Sequence, residues 1–254
     1  MEYIIRVEGL NLYLQGRHIL KDISFNVKRG EIFTILGGSG SGKTTITKCL
    51  VGLYKPTSGK VEVFGKDLST LRLLELDEVR RKIGYVFQGS ALFDSLSVWE
   101  NVVFYHLEHD NMKEEELRQK ALKYLQMVGL SEEVLDLYPS ELSGGMKKRV
   151  GIARAIATNP ELIIYDEPTS GLDPITSRLI DELIISLRDK TNSTAIVVSH
   201  DMVSAFTISD RIMVLKEGQV VQVGGKEEIL NSNIPFVREF LKKGLGNFQA
   251  LSRG

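Results

Sequence analysis

The chain has 254 residues, 43% of them hydrophobic and 26% charged, with a formal net charge of −1. That length accommodates one large domain or two small ones around a sizeable core, and the near-neutral balance excludes the basic field that advertises nucleic acid or an anionic membrane surface. No apolar run approaches the ~18–20 residues of a membrane span. "MEYIIRVEGL" has neither the basic start nor the apolar stretch of a signal peptide, and the single cysteine, Cys49, excludes an internal disulfide and fits a reducing compartment. A cytosolic chain is expected, one that can still attach to a membrane through another protein.

From the N-terminus, "YIIRV" opens a region of antiparallel hairpin character, and "EIFTILG" follows as a short continuous apolar run. Further β-rich runs are "KVEVFG", "KIGYVFQ", "ELIIYDE", "TAIVVSH", "RIMVLKEG" and "QVVQVG". Four runs end near Gly37, Gln88, Glu167 and His200 with polar residues just beyond them. Buried parallel strands read this way, with their chemistry at the carboxyl ends. The pair around Lys216–Gly218 reads as an antiparallel hairpin. Between about Ser97 and Asn159 the period turns helical: Leu117, Ala121, Leu122, Leu125 and Val128 form one apolar stripe, and Val150, Ala153, Ile156 and Ala157 another. A helix is predicted from about Ile175 to Asp189, with Leu179, Ile180, Leu183, Ile184 and Leu187 on its buried face. "PFVREFLKKG" reads as a short helix and "LGNFQALSRG" as a loosely held tail.

Two segments carry phosphate chemistry. Gly37-x-x-x-x-Gly42-Lys43-Thr44 matches the P-loop pattern after a strand and before a helix. Its amides wrap phosphates, Lys43 reaches the outer ones, and the Thr44 hydroxyl ligates Mg²⁺ beside the positive end of a helix dipole. A P-loop needs a second magnesium contact at the end of an apolar strand, and "ELIIYDEP" supplies Asp166 there. Glu167, next to it, would orient or deprotonate the attacking water. The second segment is "ELSGGMKKR", Glu141–Arg149, where adjacent glycines let several amides face one anion before three positive charges. One nucleotide site has no use for two such cradles.

"LSGGM" at Leu142–Met146, "LIIYDEPTSGLDP" at Leu162–Pro174 and "VVSHD" at Val197–Asp201 resemble the signature, Walker B, D-loop and switch histidine of ATP-binding-cassette (ABC) ATPases. Gln88 in "YVFQGSALF" stands where that family has its Q-loop glutamine, and the resemblance covers nearly the whole chain. It implies an α/β P-loop NTPase (RecA-like) fold: a mainly parallel sheet core, an antiparallel β subdomain and a helical signature subdomain. The expected division of this single domain, 1–254, is a catalytic core over 1–96 and 160–230, a helical subdomain over about 97–159 and a C-terminal helix and tail over about 231–254.

The resemblance also implies two copies packed head to tail, so that the signature of one closes over ATP held by the other's P-loop. Gly37, Gly38, Ser39, Gly40, Ser41, Gly42, Lys43, Thr44 and Thr45 then hold the phosphates, while Ser143, Gly144 and Gly145 grip the γ-phosphate from the opposite subunit. Thr44, Gln88 and Asp166 hold Mg²⁺. Glu167, His200 and Gln88 serve the hydrolytic step, and Asp173 communicates across the interface. Tyr13 is a candidate adenine platform or an ordinary strand tyrosine, since the family's stacking aromatic aligns nearer Leu14. Met146 stands where many members have glutamine and cannot make an amide's polar contacts. Lys147, Lys148 and Arg149 read as a solvated first-turn face, with interface or nucleotide contact as the alternative. His106 and His109 with Glu108 read as surface residues, and Cys49 as a small core residue. For Trp99, just after the Q-loop, core and permease contact stay equally open.

DNA-repair members carry long coiled coils and translation-type members two cassettes, and neither feature is present. "QGSALFDSLSVWENV", "PSELSGGMKKRVGIARAIA" and "DEPTSGLDPIT" resemble the Mla-type ATPases of phospholipid transport. That likeness implies an integral permease and a mammalian-cell-entry (MCE) lipid-binding protein as partners, no nucleic acid, and a peripheral position on the cytoplasmic face of the inner membrane. The alternatives are the ATPase of another importer, such as one for amino acids, and a soluble ATPase of the iron–sulfur assembly type.

Overall fold

A computed structural model describes residues 2–245, so the tail expected over "LGNFQALSRG" lies, past Leu245, outside the described residues. The chain forms two compact units, one made of the residues up to Val79 with those from Thr194 onward, the other of Arg80–Ser193.

In the first unit, β1 (Tyr3–Leu14), β2 (Arg17–Lys28), β4 (Ser58–Val63) and β5 (Lys66–Asp67) form an antiparallel sheet in the order β2-β1-β4-β5. β3 (Ile32–Gly37) pairs in parallel with both β8 (Thr194–Ser199) and β9 (Arg211–Lys216), and β10 (Gln219–Gly225) returns antiparallel to β9. The β9–β10 hairpin agrees with the sequence reading, but β9 is in addition a parallel strand beside β3. β2 has no counterpart among the predicted runs. Asp22 takes a left-handed φ of 53° within it, and the pairing with β1 shifts register nearby. The bulge interrupts the alternation between Leu20 and Ile23 only; beyond it Ile23, Phe25 and Val27 alternate regularly, so the signal for this strand lies in the sequence.

Among the described residues five helices complete this unit: α1 (Lys43–Leu50), α2 (Leu73–Arg80, whose last residue crosses into the other unit), α8 (Met202–Ile208), α9 (Lys226–Leu230) and α10 (Pro235–Leu245). α2 buries only Val79 and exposes Leu73 and Leu74, so it has no apolar period to read. Cys49 is buried in α1, and burial pushes its thiol up to about 12, which leaves it an inert core residue.

In the second unit, β6 (Ile83–Val86) and β7 (Leu162–Asp166) pair in parallel. Its helices are α3 (Val98–Val102), α4 (Phe104–His109), α5 (Glu114–Met127), α6 (Gly144–Ile156) and α7 (Pro174–Thr191). Leu117, Ala121, Leu125 and Val128 of the predicted stripe are buried, as are Val150, Ala153, Ile156 and Ala157. On α7 the buried residues are Ile180, Asp181, Ile184 and Leu187, whereas Leu179, expected inside, is 44% exposed. At 100° per residue, the stripe through Ile180, Ile184 and Leu187 leaves Leu179 on its flank.

One further expectation changes here, and one left open is decided. His106 is buried rather than on the surface. Its Nδ1 faces Asp110 Oδ2 at 2.6 Å and its Nε2 the Ala157 carbonyl at 3.0 Å, and the imidazole beside Asp110 holds that carboxyl below its usual range. Trp99 is also core: only 8% exposed, with its main-chain N–H donating to Leu135 O at 3.0 Å and the Arg118 guanidinium 5.4 Å from its ring centroid. Beside it Asn101, fully buried, accepts from the Phe93 N–H at 2.8 Å and lies 3.0–3.1 Å from the carbonyls of Phe93, Leu96 and Ser97. The loop that precedes α3 is therefore pinned from within.

Removing a buried indole leaves a cavity that costs about 3–5 kcal/mol. Trp99→Ala should accordingly lower Tm by about 10 °C in a thermal melt. An unchanged melt would return Trp99 to the surface.

Candidate functional site

The first unit holds the phosphate loop. β3 has no solvent-facing side, and its last residue, Gly37, opens the turn that ends in α1. A side chain at Gly37 would bring its Cβ within 2.5 Å of the Leu215 carbonyl and 2.7 Å of Ser41 Oγ. Gly42 caps α1 at φ 104°, where an L-residue is strained, and a Cβ there would lie 2.9 Å from Leu20. Lys43 is buried, and its ammonium curls back to donate to the carbonyls of Gly37 (2.8 Å) and Gly38 (3.0 Å). Ser41 Oγ is buried with no hydrogen-bond partner, an unsatisfied polar group that an arriving oxyanion would complete. Thr44 and Thr45 stand half-buried in the first turn of α1, which contains no acidic residue to oppose an anion.

His200 belongs to the same neighbourhood by register. Leu36 of β3 pairs with Ser199 of β8, so Gly37 and His200 leave adjacent carboxyl ends. Tyr13 is 49% exposed near the end of β1, and its ring stacks on His18 with centroids 4.1 Å apart. Ile19, the next residue, presents its carbonyl 3.7 Å from where a Gly42 Cβ would stand. The sequence reading missed His18. The signal for it is the β1–β2 pairing, which sets Tyr13 opposite His18.

The second unit gathers the other predicted residues at the carboxyl ends of β6 and β7. Val86 pairs with Tyr165, which places exposed Gln88 and the acidic pair on neighbouring strand ends. Asp166, buried, accepts from the Tyr85 hydroxyl at 3.2 Å. Glu167 is also buried and takes φ +52°, a left-handed geometry that costs a non-glycine residue about 1–3 kcal/mol. Gln88 Nε2 donates to Ser170 Oγ at 3.3 Å.

Two helices begin side by side in the same unit. Ser143 caps α6, its Oγ accepting from the Met146 N–H at 3.3 Å. The hydroxyl proton then points elsewhere, and the amides of Gly144 and Gly145 belong to the turn that has no intrahelical acceptor. A Cβ at Gly145 would approach Thr176 Cγ2 to 2.8 Å, so glycine is what lets the starts of α6 and α7 come together. Asp173 caps α7, accepting from the N–H groups of Ile175 and Thr176 at 3.0 Å. The Thr176 hydroxyl and these amides hold its carboxyl below the usual range.

The basic run after the signature does not form a solvated face. Lys148 is buried, its Nζ donating to the carbonyls of Gln88 and Glu167 (the latter at 3.4 Å), and Arg149 Nη1 donates to Val128 O at 2.8 Å. Burial pushes the Lys148 ammonium down, opposed by the carboxylates of Glu167 and Asp166. Arg154, one of the residues that the sequence reading passed over, donates to the carbonyls of Ser90 and Ala91 at 2.7 Å. Nothing in the sequence sets Lys148 apart from Lys147 and Arg149, because its partners are main-chain carbonyls.

The predicted site residues thus fall into two sets. Tyr13, Gly37–Thr45 and His200 lie in the first unit, and Gln88, Ser143–Gly145, Asp166, Glu167 and Asp173 in the second. Hydroxyl, amide oxygen and carboxylate are hard donors of the kind that suits magnesium, which takes one or two carboxylates and completes its shell with other oxygen donors, phosphates and water.

The family model described as ABC transporter matches residues 20–170. The chain is 47% identical over 208 residues, 82% of its length, to the glycine betaine/carnitine transport ATP-binding protein GbuA of Listeria monocytogenes, and spans about half (52%) of that relative. It is 36% identical over 241 residues to the probable ribonucleotide transport ATP-binding protein mkl of Mycobacterium leprae, covering 95% of this chain and 69% of the relative. A solved dimeric structure of the ATP-binding cassette MJ0796, in a post-hydrolysis state bound to ADP and Pi, superposes with a TM-score of 0.79 at 36% identity, over 87% of this chain and 98% of that one. A complete phosphate loop, an acidic strand end and a serine-capped glycine pair, joined to these likenesses, make the conclusion plain: this chain belongs to the ABC transporter family as an ATP-binding cassette.

Proposed function

We propose that the chain is the ATP-hydrolysing subunit of a membrane transporter and works as a head-to-tail pair. The observation that carries this reading is the duplication of anion-ready helix starts. α1 has a lysine-bearing phosphate loop, whereas α6 offers only a serine hydroxyl and two glycine amides. The second start suits a phosphate already held elsewhere, on the partner subunit's loop.

In this mechanism the Gly37–Thr45 loop binds the phosphates of ATP through its amides. Lys43 leaves the Gly37 and Gly38 carbonyls for the outer phosphates, and Ser41 Oγ gains a partner. Tyr13, backed by His18, offers its exposed face to adenine. Thr44 and Asp166, with Gln88, would hold Mg²⁺, which supplies charge neutralisation on the phosphates. Glu167 orients or deprotonates the attacking water, and His200 contacts the γ-phosphate and steadies that geometry. Ser143, Gly144 and Gly145 grip the same phosphate from the partner, while Asp173 carries the state of one site to the other. Loss of those γ-phosphate contacts after hydrolysis lets the pair open.

Among the described residues no helix is long and apolar enough to cross a membrane. Attachment to the cytoplasmic face of the inner membrane would run through a permease. For the cargo, the Mla-like segments around Gln88 and Met146 support phospholipid transport with an MCE-type partner. The 47% identity to GbuA favours a second reading, a small-molecule importer. Affinity purification from the native membrane separates them: an MCE-domain protein in the complex supports the first, and a soluble solute-binding partner the second.

Glu167→Gln should keep ATP binding but cut turnover by roughly 10²–10⁴, the worth of a positioned general base, and should trap an ATP-bound dimer. Near-normal hydrolysis by this variant would remove Glu167 from the mechanism.

A mixed dimer tests the exchange of phosphate sites. With Ser143→Arg in one subunit and Lys43→Ala in the other, one composite site collects both defects and the other keeps every native residue. In a Glu167→Gln background such a pair should occlude one ATP per dimer, while neither parent variant does. No occlusion on mixing would sink the head-to-tail arrangement.

Phe93 is the residue of the 89–101 segment best suited to a partner, being 42% exposed with its ring centroid 4.5 Å from that of Phe104. Exposed aromatic anchors at interfaces are worth ~2 kcal/mol or more. Phe93→Ala should leave Tm and basal hydrolysis nearly unchanged while weakening capture by the permease. Undiminished capture would move the coupling surface elsewhere.

A further inference from the structure

We propose that Lys148 is a positioning residue for hydrolysis, its ammonium fixing the peptide of Glu167 relative to that of Gln88. The inference rests on the reading of Glu167 as the group that orients water. Gln88 lies two residues beyond the end of β6 and Glu167 one residue beyond the end of β7, on strands that are direct neighbours. A single buried cation donates to the carbonyl of each.

The position of a carbonyl oxygen defines the plane of the peptide that follows it. Glu167 sits at φ +52°, and a left-handed residue with a Cβ persists only where its surroundings over-determine it. The bond from Lys148 is one such determinant. By holding the 167–168 peptide it restrains one of the two peptide planes that set the direction in which the Glu167 side chain leaves the backbone.

The other end of the tie is equally constrained. Ser90 and Ala91, just past Gln88, take φ values of 62° and 46°, and Arg154 holds both of their carbonyls. A Cβ on Gly151 would meet Ser90 Cβ at 3.3 Å, so the loop lies directly on the face of α6. The helix that starts at Ser143 therefore anchors the Gln88 loop along its length, and at Lys148 the same anchoring extends to Glu167. A shift of the Gln88 peptide alters the bond that orients Glu167.

Packing alone does not explain the residue. An apolar side chain of similar length would fill the space without the desolvation that a buried ammonium suffers, but it would leave the carbonyls of Gln88 and Glu167 without this donor. Lys148→Met is thus the informative change, and Lys148→Gln its conservative counterpart, because an amide N–H still donates to a carbonyl.

The experiment measures steady-state ATP hydrolysis by the full chain for both variants, alone and combined with Glu167→Gln, with Tm recorded alongside. Lys148→Met should lower kcat about tenfold or more with KM for ATP within about twofold, and Lys148→Gln should recover most of the loss. In the Glu167→Gln background the same Lys148→Met change should alter residual turnover by less than about twofold, since the side chain it orients is already disabled. A folded Lys148→Met protein with wild-type kcat overturns the proposal, and so does an equal fractional loss in both backgrounds. If Glu167→Gln itself retains turnover, the reading of Glu167 fails instead, a result distinct from either. Should Lys148→Met not fold, Lys148→Gln decides. Its kcat within about threefold of wild type, or a larger loss confined to the background with Glu167 intact, supports the donor role, and a larger loss equal in both backgrounds overturns it.

Discussion

Strands with no solvent face govern where the chemistry of this protein can lie. All six residues of β3 and of β8, and all five of β7, are buried. Such strands have no side facing water, so groups that must meet a ligand collect where the chain leaves the sheet, and parallel pairing brings those exits together. The Leu36–Ser199 pair aligns the phosphate loop with His200, and the Val86–Tyr165 pair aligns Gln88 with Asp166 and Glu167.

At those exits the backbone, more than the side chains, is shaped for anions. Gly37 and Gly42 are required by close approach and by positive φ respectively, and Gly145 by the neighbouring start of α7. Each removes a Cβ where amides must come forward. Ser143 and Asp173 meanwhile cap their own helices, so the residues proposed to face a ligand also terminate the elements that would present it. Local stability and function share the same atoms.

The second unit is organised around buried polar groups that are paired. Asn101 ties together the loop before α3, His106 bridges Asp110 and Ala157, and Lys148 and Arg154 bind carbonyls of the segment after β6. Removing one partner from such a network strands the other without water, which makes the arrangement rigid. That rigidity suits a segment whose outer face carries Phe93 toward solvent.

The sequence by itself determined the parallel strands, the phosphate loop, the acidic strand end and the signature turn, because each is a local pattern. Gly37–Thr45 needs glycines at fixed offsets, and "LIIY" before Asp166 is apolar on both faces of its strand. Only the tertiary structure decided the residues whose environment comes from distant segments. Trp99 is core because α3 packs on α5 and α6, and His106 is buried by a carbonyl 51 residues away. Tyr13 acquired His18 through strand register. Lys148 is the clearest case. In the sequence it is one of three consecutive cations after a glycine pair, and its partners are main-chain carbonyls, which every residue possesses. No pattern of side chains can announce a bond to backbone; only folding shows which carbonyls arrive beside it.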